Sequence, residues 1–401
     1  MIDKLELRKY AQVWQLSLEV VQKDYVLGWL TAAIGNHPKL KTDWIFKGGT
    51  CLKKCYFETY RFSEDLDFTI PDASYIEEAR LKEVFAEVAT WVYSESGIQI
   101  PVDEIGIDIY ENPRGVKSAQ AKLPYVGPSA RRGNLPKIKF DLTSDEVLVF
   151  EPVVNEIFHP YSDKGDIPFQ IQCYSFLEIF AEKTRALAER ARPRDLYDIA
   201  HLFRNKELVS DKKALNEALQ AKCDFKNIPK PTFDTIENHP QKAELNSEWT
   251  NMLRHQLPEL PALNNFWKTL EKFFAWLVFD EVEELAPLER KPEEELYSVP
   301  RITLEEANAS FIRQIQYAAS NRLLLELGYK GKLRTLEPYS FRRGKGKTLL
   351  YGFELESNHI KAFALDRIEQ IQVTQNGYRP RYRVEIGLNK GVFAPPLRRR
   401  R

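Results

Sequence analysis

The segment DLDFTI, residues 65 to 70, constrains this chain more than any other. Asp65 and Asp67 alternate with Leu66 and Phe68, and a strand places residues i and i+2 on one face, so both carboxylates share one face and the apolar pair the other. Like charges so placed repel each other and are costly to bury, and something cationic has to offset them. The stretch just upstream, WIFKGGT, reads as a short buried strand running into a turn. Gly48, Gly49 and Thr50 sit at that turn, where missing side chains let the backbone approach a ligand. CLKKCYF then reads as a helix beginning just past Gly49, and the free N–H groups of a helix N-terminus suit a triphosphate.

A third acid lies further on. In KIKFDL, residues 137 to 142, Lys137, Lys139 and Asp141 share one face and Ile138, Phe140 and Leu142 the other, the pattern of a half-buried strand. On its own, one acid on an alternating strand is ordinary. If this strand neighbours the first, three carboxylates converge at one sheet edge, and they stay ionised only with cations among them. Mg²⁺, which takes hard oxygen ligands together with substrate phosphates, is the natural candidate. A metal seat beside a phosphate cradle implies phosphoryl or nucleotidyl transfer.

At 401 residues the chain is long enough for about two or three domains. Its 58 basic and 58 acidic residues balance, but their distribution does not. Residues 301 to 401 carry 20 Lys+Arg against 9 Asp+Glu, leaving 38 against 49 before them, so an acidic body carries a basic C-terminal module. Residues 4 to 34 have helical spacing, another helix covers about 75 to 96, and IGIDIYE and VLVFEPV look like strands. Helices flank the Arg192-Pro193 break, since proline is tolerated at a first helical turn. Residues 206 to 285 are mostly helical, and APLERKPEEELYSVP, 286 to 300, has linker composition. A helix at about 303 to 325 precedes short alternating runs, KLRTLEPYSF, KTLLYGFEL, IKAFALDRI, QIQVT and RYRVEIGL, which indicate a small antiparallel barrel or curled sheet.

The order of these elements resembles the minimal nucleotidyltransferases of the polymerase-beta superfamily, and more narrowly the AbiEii/AbiGii nucleotidyltransferases of abortive-infection and type IV toxin-antitoxin systems. KGGTCLKKCYFETYRFSEDLDF resembles that family's first motif and KIKFDL its second. LEIFAEKTRAL, 177 to 187, resembles the third and RPRDLYDI, 192 to 199, the fourth. Together with QKDYVL at 22 to 27, the resemblance covers roughly residues 15 to 285. Gln22 stands where the family has an acid and Arg194 where it usually has lysine.

The resemblance implies an α+β fold: a nucleotidyltransferase core over 1–205 with a mixed sheet and flanking helices, a helical region at 206–290 completing it, a linker at 291–300, and a basic β-rich module at 301–401. It implies a Mg²⁺- or Mn²⁺-dependent toxin that moves a nucleoside monophosphate from an NTP to an acceptor, a tRNA 3′ end, in a toxin-antitoxin or phage-defence setting with a cognate antitoxin. Asp65, Asp67 and Asp141 would hold metal. Lys183, Asp195 and Asp198 would join them in catalysis, while Lys47, Gly48, Gly49, Thr50, Ser63, Arg192 and Arg194 would bind substrate. From the residues alone, Lys183 reads as a surface lysine and Asp195 equally as a cap or a partner of Arg192. The C-terminal hundred residues more loosely resemble WYL-type ligand-binding modules, with Leu350-Tyr351-Gly352 in place of the naming tripeptide. Arg313, Arg322, Arg334, Arg342, Arg343, Lys345 and Lys347 there would suit phosphate or nucleic-acid contacts. Two rival readings are a nucleotide- or nucleic-acid-binding regulator with a vestigial site, against which the complete carboxylates argue, and transfer to a protein hydroxyl.

Four scattered cysteines fit a reducing cytosol, and Cys51 and Cys55, at i and i+4, read as small apolar residues on a buried helix face rather than a zinc site. The N-terminus MIDKLELRKY lacks a signal-peptide core, and no window reaches the roughly 18 apolar residues of a membrane span, so a cytoplasmic location is expected. Arg131-Arg132 reads as an RNA guide or loop charge, the RRRR tail as disordered, and His201 as a helix residue without chemistry.

Overall fold

The computed structural model describes the chain apart from residues 58–59, 113, 130–133, 258–259, 279–294, 297–305, 345 and 387–401. Arg131-Arg132, the arginine tail and most of the linker lie outside the described residues. The elements run α1 (Lys4–Trp14), α2 (Leu18–Asn36), α3 (Leu40–Asp43), β1 (Ile45–Lys47), α4 (Gly48–Cys51), β2 (Asp65–Thr69), α5 (Glu78–Ser96), β3 (Gly106–Glu111), β4 (Lys117–Pro124), β5 (Lys137–Thr143), β6 (Val153–Glu156), β7 (Gln170–Cys173), α6 (Phe176–Arg190) and α7 (Pro193–Arg204). Four more helices follow: α8 (Lys212–Lys226), α9 (Phe233–Glu237), α10 (Lys242–Leu253) and α11 (Leu263–Val278). After the two-residue β8 (Glu295–Leu296) come α12 (Glu306–Asn321), β9 (Leu323–Tyr329), β10 (Lys332–Gly344), β11 (Lys347–Glu354), β12 (His359–Ala364) and β13 (Ile368–Gly377).

The expected α+β organisation is present. Strands β1 to β7 form one mixed sheet in the order β3-β4-β5-β2-β1-β7-β6, with β2 parallel to β5 and β1 parallel to β7. Its apolar face carries Phe46, Leu66, Phe68, Phe140 and Leu142, all buried, with Phe68 stacked on Phe140 and Phe85 of α5 against Phe140. Helix α2 is buried along most of its length, and the ring-free Gly35 lets it lie directly on the β7 backbone, where a β-carbon would strike the carbonyl of Gln170. Ser175 caps α6 by accepting from the Glu178 amide, and Pro193 stands in the first turn of α7, as the Arg192-Pro193 break predicts.

Several expectations shift. VLVFEPV is a strand only from Val153, because the Val149 and Phe150 amides donate to the Glu178 carboxylate instead of a ladder. The helix after Gly49 starts at Gly48 and loosens into a π turn over Leu52–Tyr56. In the C-terminal region the helix stops at Asn321, Arg322 takes a left-handed conformation (φ 56°), and LLLELGY, expected to begin in the helix, is strand β9. RYRVEIGL forms no strand over its described residues, although Val384 and Ile386 are buried. The strands here form an antiparallel sheet in the order β12-β11-β10-β9-β13, with β8 beside β10. Tyr197 donates to Asn321, and Arg322 donates to Asn205 at 3.0 Å, so this region rests on α7.

His201 lies fully buried on α7 against the rings of Phe57, Tyr60 and Tyr197. Burial, with help from the Arg204 charge, pushes its pKa down to about 3. The unfolded chain therefore takes a proton near pH 6.5 that the folded chain refuses, so this residue's share of stability is intact above that pH and is lost as pH falls toward 3. Unfolding free energies from urea titrations between pH 7 and pH 4 should fall less steeply for His201→Phe than for the wild type, by about 1.4 kcal/mol per pH unit below pH 6. Parallel curves would refute this account.

Candidate active site

Register builds the site. Lys47 on β1 stands opposite Asp67 on β2, Asp67 opposite Asp141 on β5, Asp141 opposite Gln120 on β4, and Gln120 opposite Asp108 on β3. Cross-strand partners share a face, so these five side chains form one polar row across the sheet. The adjacent row reads Asp65, Lys139, Lys122 and Gly106. The sequence expectation that KIKFDL neighbours DLDFTI is met by direct pairing.

Electrostatics mark the centre of the row. Burial and then the facing Asp141 charge push the Asp67 pKa up to about 6, and burial also raises Asp65. Asp141 is held by Gln120, which donates to Oδ1 at 3.1 Å, and by Lys139, 2.7 Å from Oδ2. With its oxygens so engaged, Asp141 does not draw together with Asp65 and Asp67 into one tight ligand cluster. Among the described residues the metal-capable group of that kind is Cys51, Cys55 and Cys173, whose sulfurs lie within 4.8 Å of one another. All three are buried, and the nearby Lys54 ammonium is 2.8 Å from the buried Asp24 carboxylate. Burial pushes the Cys51 and Cys55 thiols up, while hydrogen bonds from both draw the Cys173 thiol down.

The turn after β1 is shaped by contact with the carboxylates. Gly48 has φ 78°, and a β-carbon on it would land on Asp67 Oδ2. Only glycine meets both demands. The Thr50 hydroxyl donates to the Asp65 carbonyl, fastening the turn to β2, and Gly49 lies against Arg61 and Ser63. Arg194 is half-buried, its Nε has no hydrogen-bond partner, and burial followed by the neighbouring Arg61 charge depresses its pKa. Asp65 and Glu64 supply the opposing charges near it. Arg192 precedes α7 and is exposed.

Behind the row lies a layer of buried ions that joins Lys183, Asp195 and Asp198, all named from the sequence, to Arg61 and Arg190, which were not. Lys183 is 2.8 Å from Asp198 and 3.8 Å from Asp195. Arg61 grips Asp198 through Nε and Nη2 at 2.7 and 2.9 Å, and Tyr60 also donates to it. Arg190 grips Asp195 in the same two-pronged way at 2.7 and 2.9 Å. Burial alone would raise Asp198, but Arg61 and Lys183 hold its carboxyl well below the usual range. Lys47 lies 3.6 Å from Glu146 and 3.5 Å from Glu182. Against burial, Lys47, Lys222 and Arg185 draw Glu182 down to about 2. Gln22 accepts from the Ser129 amide at 2.8 Å and so pins a loop. The signal for Arg61 was its place between the glycine turn and Asp65; nothing in local pattern points to Glu146.

The C-terminal basic residues are largely engaged within the fold. Arg342 is buried against Glu385 at 2.5 Å, Arg334 pairs with Glu354, Lys347 is 2.7 Å from Asp366, and Arg313 lies over the Trp14 ring. Lys345 lies outside the described residues.

A sequence model of the family described as "Nucleotidyl transferase AbiEii toxin, Type IV TA system" matches residues 32–277. The chain belongs to the AbiEii nucleotidyltransferase toxin family. As an AbiEii protein it is a nucleotidyltransferase, a class that takes NTP as substrate, and the type IV assignment brings an antitoxin partner. No curated protein matches the sequence. Similar solved structures include MenT4, a nucleotidyltransferase toxin from Mycobacterium tuberculosis, at 16% identity over 69% of this chain and 90% of that one, with a TM-score of 0.47. JHP933 from Helicobacter pylori is 17% identical over 65% of this chain and 93% of its own, with a TM-score of 0.42. No helix among the described residues of this AbiEii chain is long and apolar enough to cross a membrane.

Replacing Asp198 with asparagine leaves Arg61 and Lys183 buried beside a neutral amide. Removing one partner of a buried ion pair costs about 3–5 kcal/mol, so Asp198→Asn should lower the thermal midpoint sharply. A midpoint within a degree of the wild type would show that Asp198 does not hold this layer together.

Proposed function

We propose that this AbiEii toxin moves a nucleoside monophosphate from an NTP to the 3′ end of tRNA and depends on Mg²⁺ or Mn²⁺ to do so. The carrying observation is the row Lys47, Asp67, Asp141, with a glycine turn touching its central carboxylate. The donor set suits the ion: hard carboxylate oxygens from Asp65, Asp67 and Asp141, with the partly buried Asp67 left short of compensating charge. When bound, the metal would supply charge neutralisation for phosphoryl transfer.

The chain's own residues do the rest. The backbone of Gly48 and Gly49, with Ser63 beside it, receives the triphosphate, and the half-buried Arg194 offers its guanidinium to a phosphate oxygen. Lys183 and Lys47 lie close enough to lower the charge burden on Asp67 and to offset negative charge gathering over it. Asp141, oriented by Gln120, takes the proton of the incoming hydroxyl; to do so it gives up its contact with Lys139. Asp195 and Asp198 act through the cations they hold, keeping Lys183 and Arg61 in place. Arg192, exposed before α7, would meet substrate from the solvent side. The same reading takes residues 1–205 with 206–290 as the transferase, 301–401 as a WYL-like module, and the cytoplasm as the place of action in toxin-antitoxin or phage defence.

Incubation of the full chain with Mg²⁺, each labelled NTP in turn and purified tRNA should give labelled tRNA. Asp65→Ala should abolish the label, a loss of at least about a thousandfold, while its circular dichroism stays unchanged. Labelling by Asp65→Ala would overturn the metal assignment, and label on protein instead of RNA would overturn the acceptor.

A further inference from the structure

The polar face continues past the carboxylates. Gly48–Thr50 follow β1 on one side of β2, while Asp141 lies on the other side, on β5. In-line displacement places the incoming hydroxyl opposite the leaving pyrophosphate. On the transferase reading, on which this inference rests, the acceptor therefore arrives over β4 and β3. Neighbouring strands are about 4.8 Å apart, so β3 lies about 10 Å beyond Asp141, within the reach of one nucleotide.

That outer part of the face has a distinct composition. Lys137, Lys139 and Lys122 share it at one end, and Lys122 makes only a long 3.5 Å contact with the exposed Asp108. At the other end, in the row of Ser118 and Thr143, stands Tyr110 on the edge strand β3. The residue is 49% exposed, and no aromatic ring or cation of the described residues stacks on it. It shares the face of Asp141, two strands across and two residues along from it. Space above Gly106, in the same strand, is open. An exposed aromatic ring with lysines further along the same face, Lys122 standing opposite Gly106 four residues or about 13 Å from Tyr110, can hold single-stranded nucleic acid, since every base offers a ring to stack and every linkage a phosphate.

We propose that Tyr110 is the stacking platform for the terminal base of the RNA acceptor, a positioning residue that sets the 3′ hydroxyl toward Asp141. Lys122 and Lys137 hold the phosphates behind that base. Stacking of this kind contributes a factor of about 5 to 150 in affinity per base.

The test uses the full chain, labelled NTP, Mg²⁺ and purified tRNA, with Tyr110→Ala, Tyr110→Leu and Tyr110→Phe. The alanine and leucine variants should raise the KM for tRNA about 5- to 150-fold, leaving the KM for NTP unchanged, and phenylalanine should restore the tRNA KM by keeping the ring. Thermal midpoints of all three should match the wild type. An unchanged tRNA KM in Tyr110→Ala, with wild-type transfer intact, would overturn the platform and leave the transferase reading standing. Label attached to Tyr110 itself would also overturn it, making the hydroxyl an acceptor instead of a platform. Failure of the wild type to label any RNA would overturn both.

Discussion

Everything in the site depends on the parallel pairing of β2 with β5. It sets Asp67 against Asp141 and Asp65 against Lys139 in strict register, and a slip of one residue would turn the carboxylates of the slipped strand into the core. The register is held from the other face, where Leu66, Phe68, Phe140 and Leu142 are buried and cannot exchange places with acids. Hydrophobic burial on one side of the sheet thus enforces electrostatic repulsion on the other. The raised Asp67 carboxyl is the local trace of that compromise.

A second layer makes the compromise tolerable. Asp195 and Asp198 are fully buried, yet each is matched by an arginine fork, and Lys183 stands between them and Asp67. Such pairs add little net stability relative to apolar packing, but leaving one member alone is costly, which favours a single geometry. Lys47 is fixed in the same manner by Glu146 and Glu182. The cations near the site are therefore positioned by carboxylates that themselves need no contact with substrate.

Much of this was legible in the sequence, and for identifiable reasons. DLDFTI and KIKFDL alternate so clearly that the face of each acid follows from strand geometry, and the glycine pair announces a turn. The KSAQAKLP strand was missed because its buried positions include Ser118, Ala119 and Ala121, small residues that give no apolar alternation, although it carries Gln120 to Asp141. Glu146 lies in a loop whose role depends on Lys47, Arg185 and Lys226 brought from three other elements, and no local pattern records that. In the C-terminal region, charge composition pointed outward, but Arg342 and Arg334 turn toward acids supplied by other segments. Net charge describes a surface only after the pairs inside have been subtracted.

Helix α7 has two clients. One face presents Asp195 and Asp198 to the ions behind the active site, while Tyr197 and the neighbouring Asn205 meet Asn321, Ser320 and Arg322 at the end of α12. The C-terminal sheet therefore rests on the same helix whose carboxylates hold Lys183 and Arg61. Movement of α12 would therefore bear, through Tyr197 and Asn205, on the helix that carries Asp195 and Asp198.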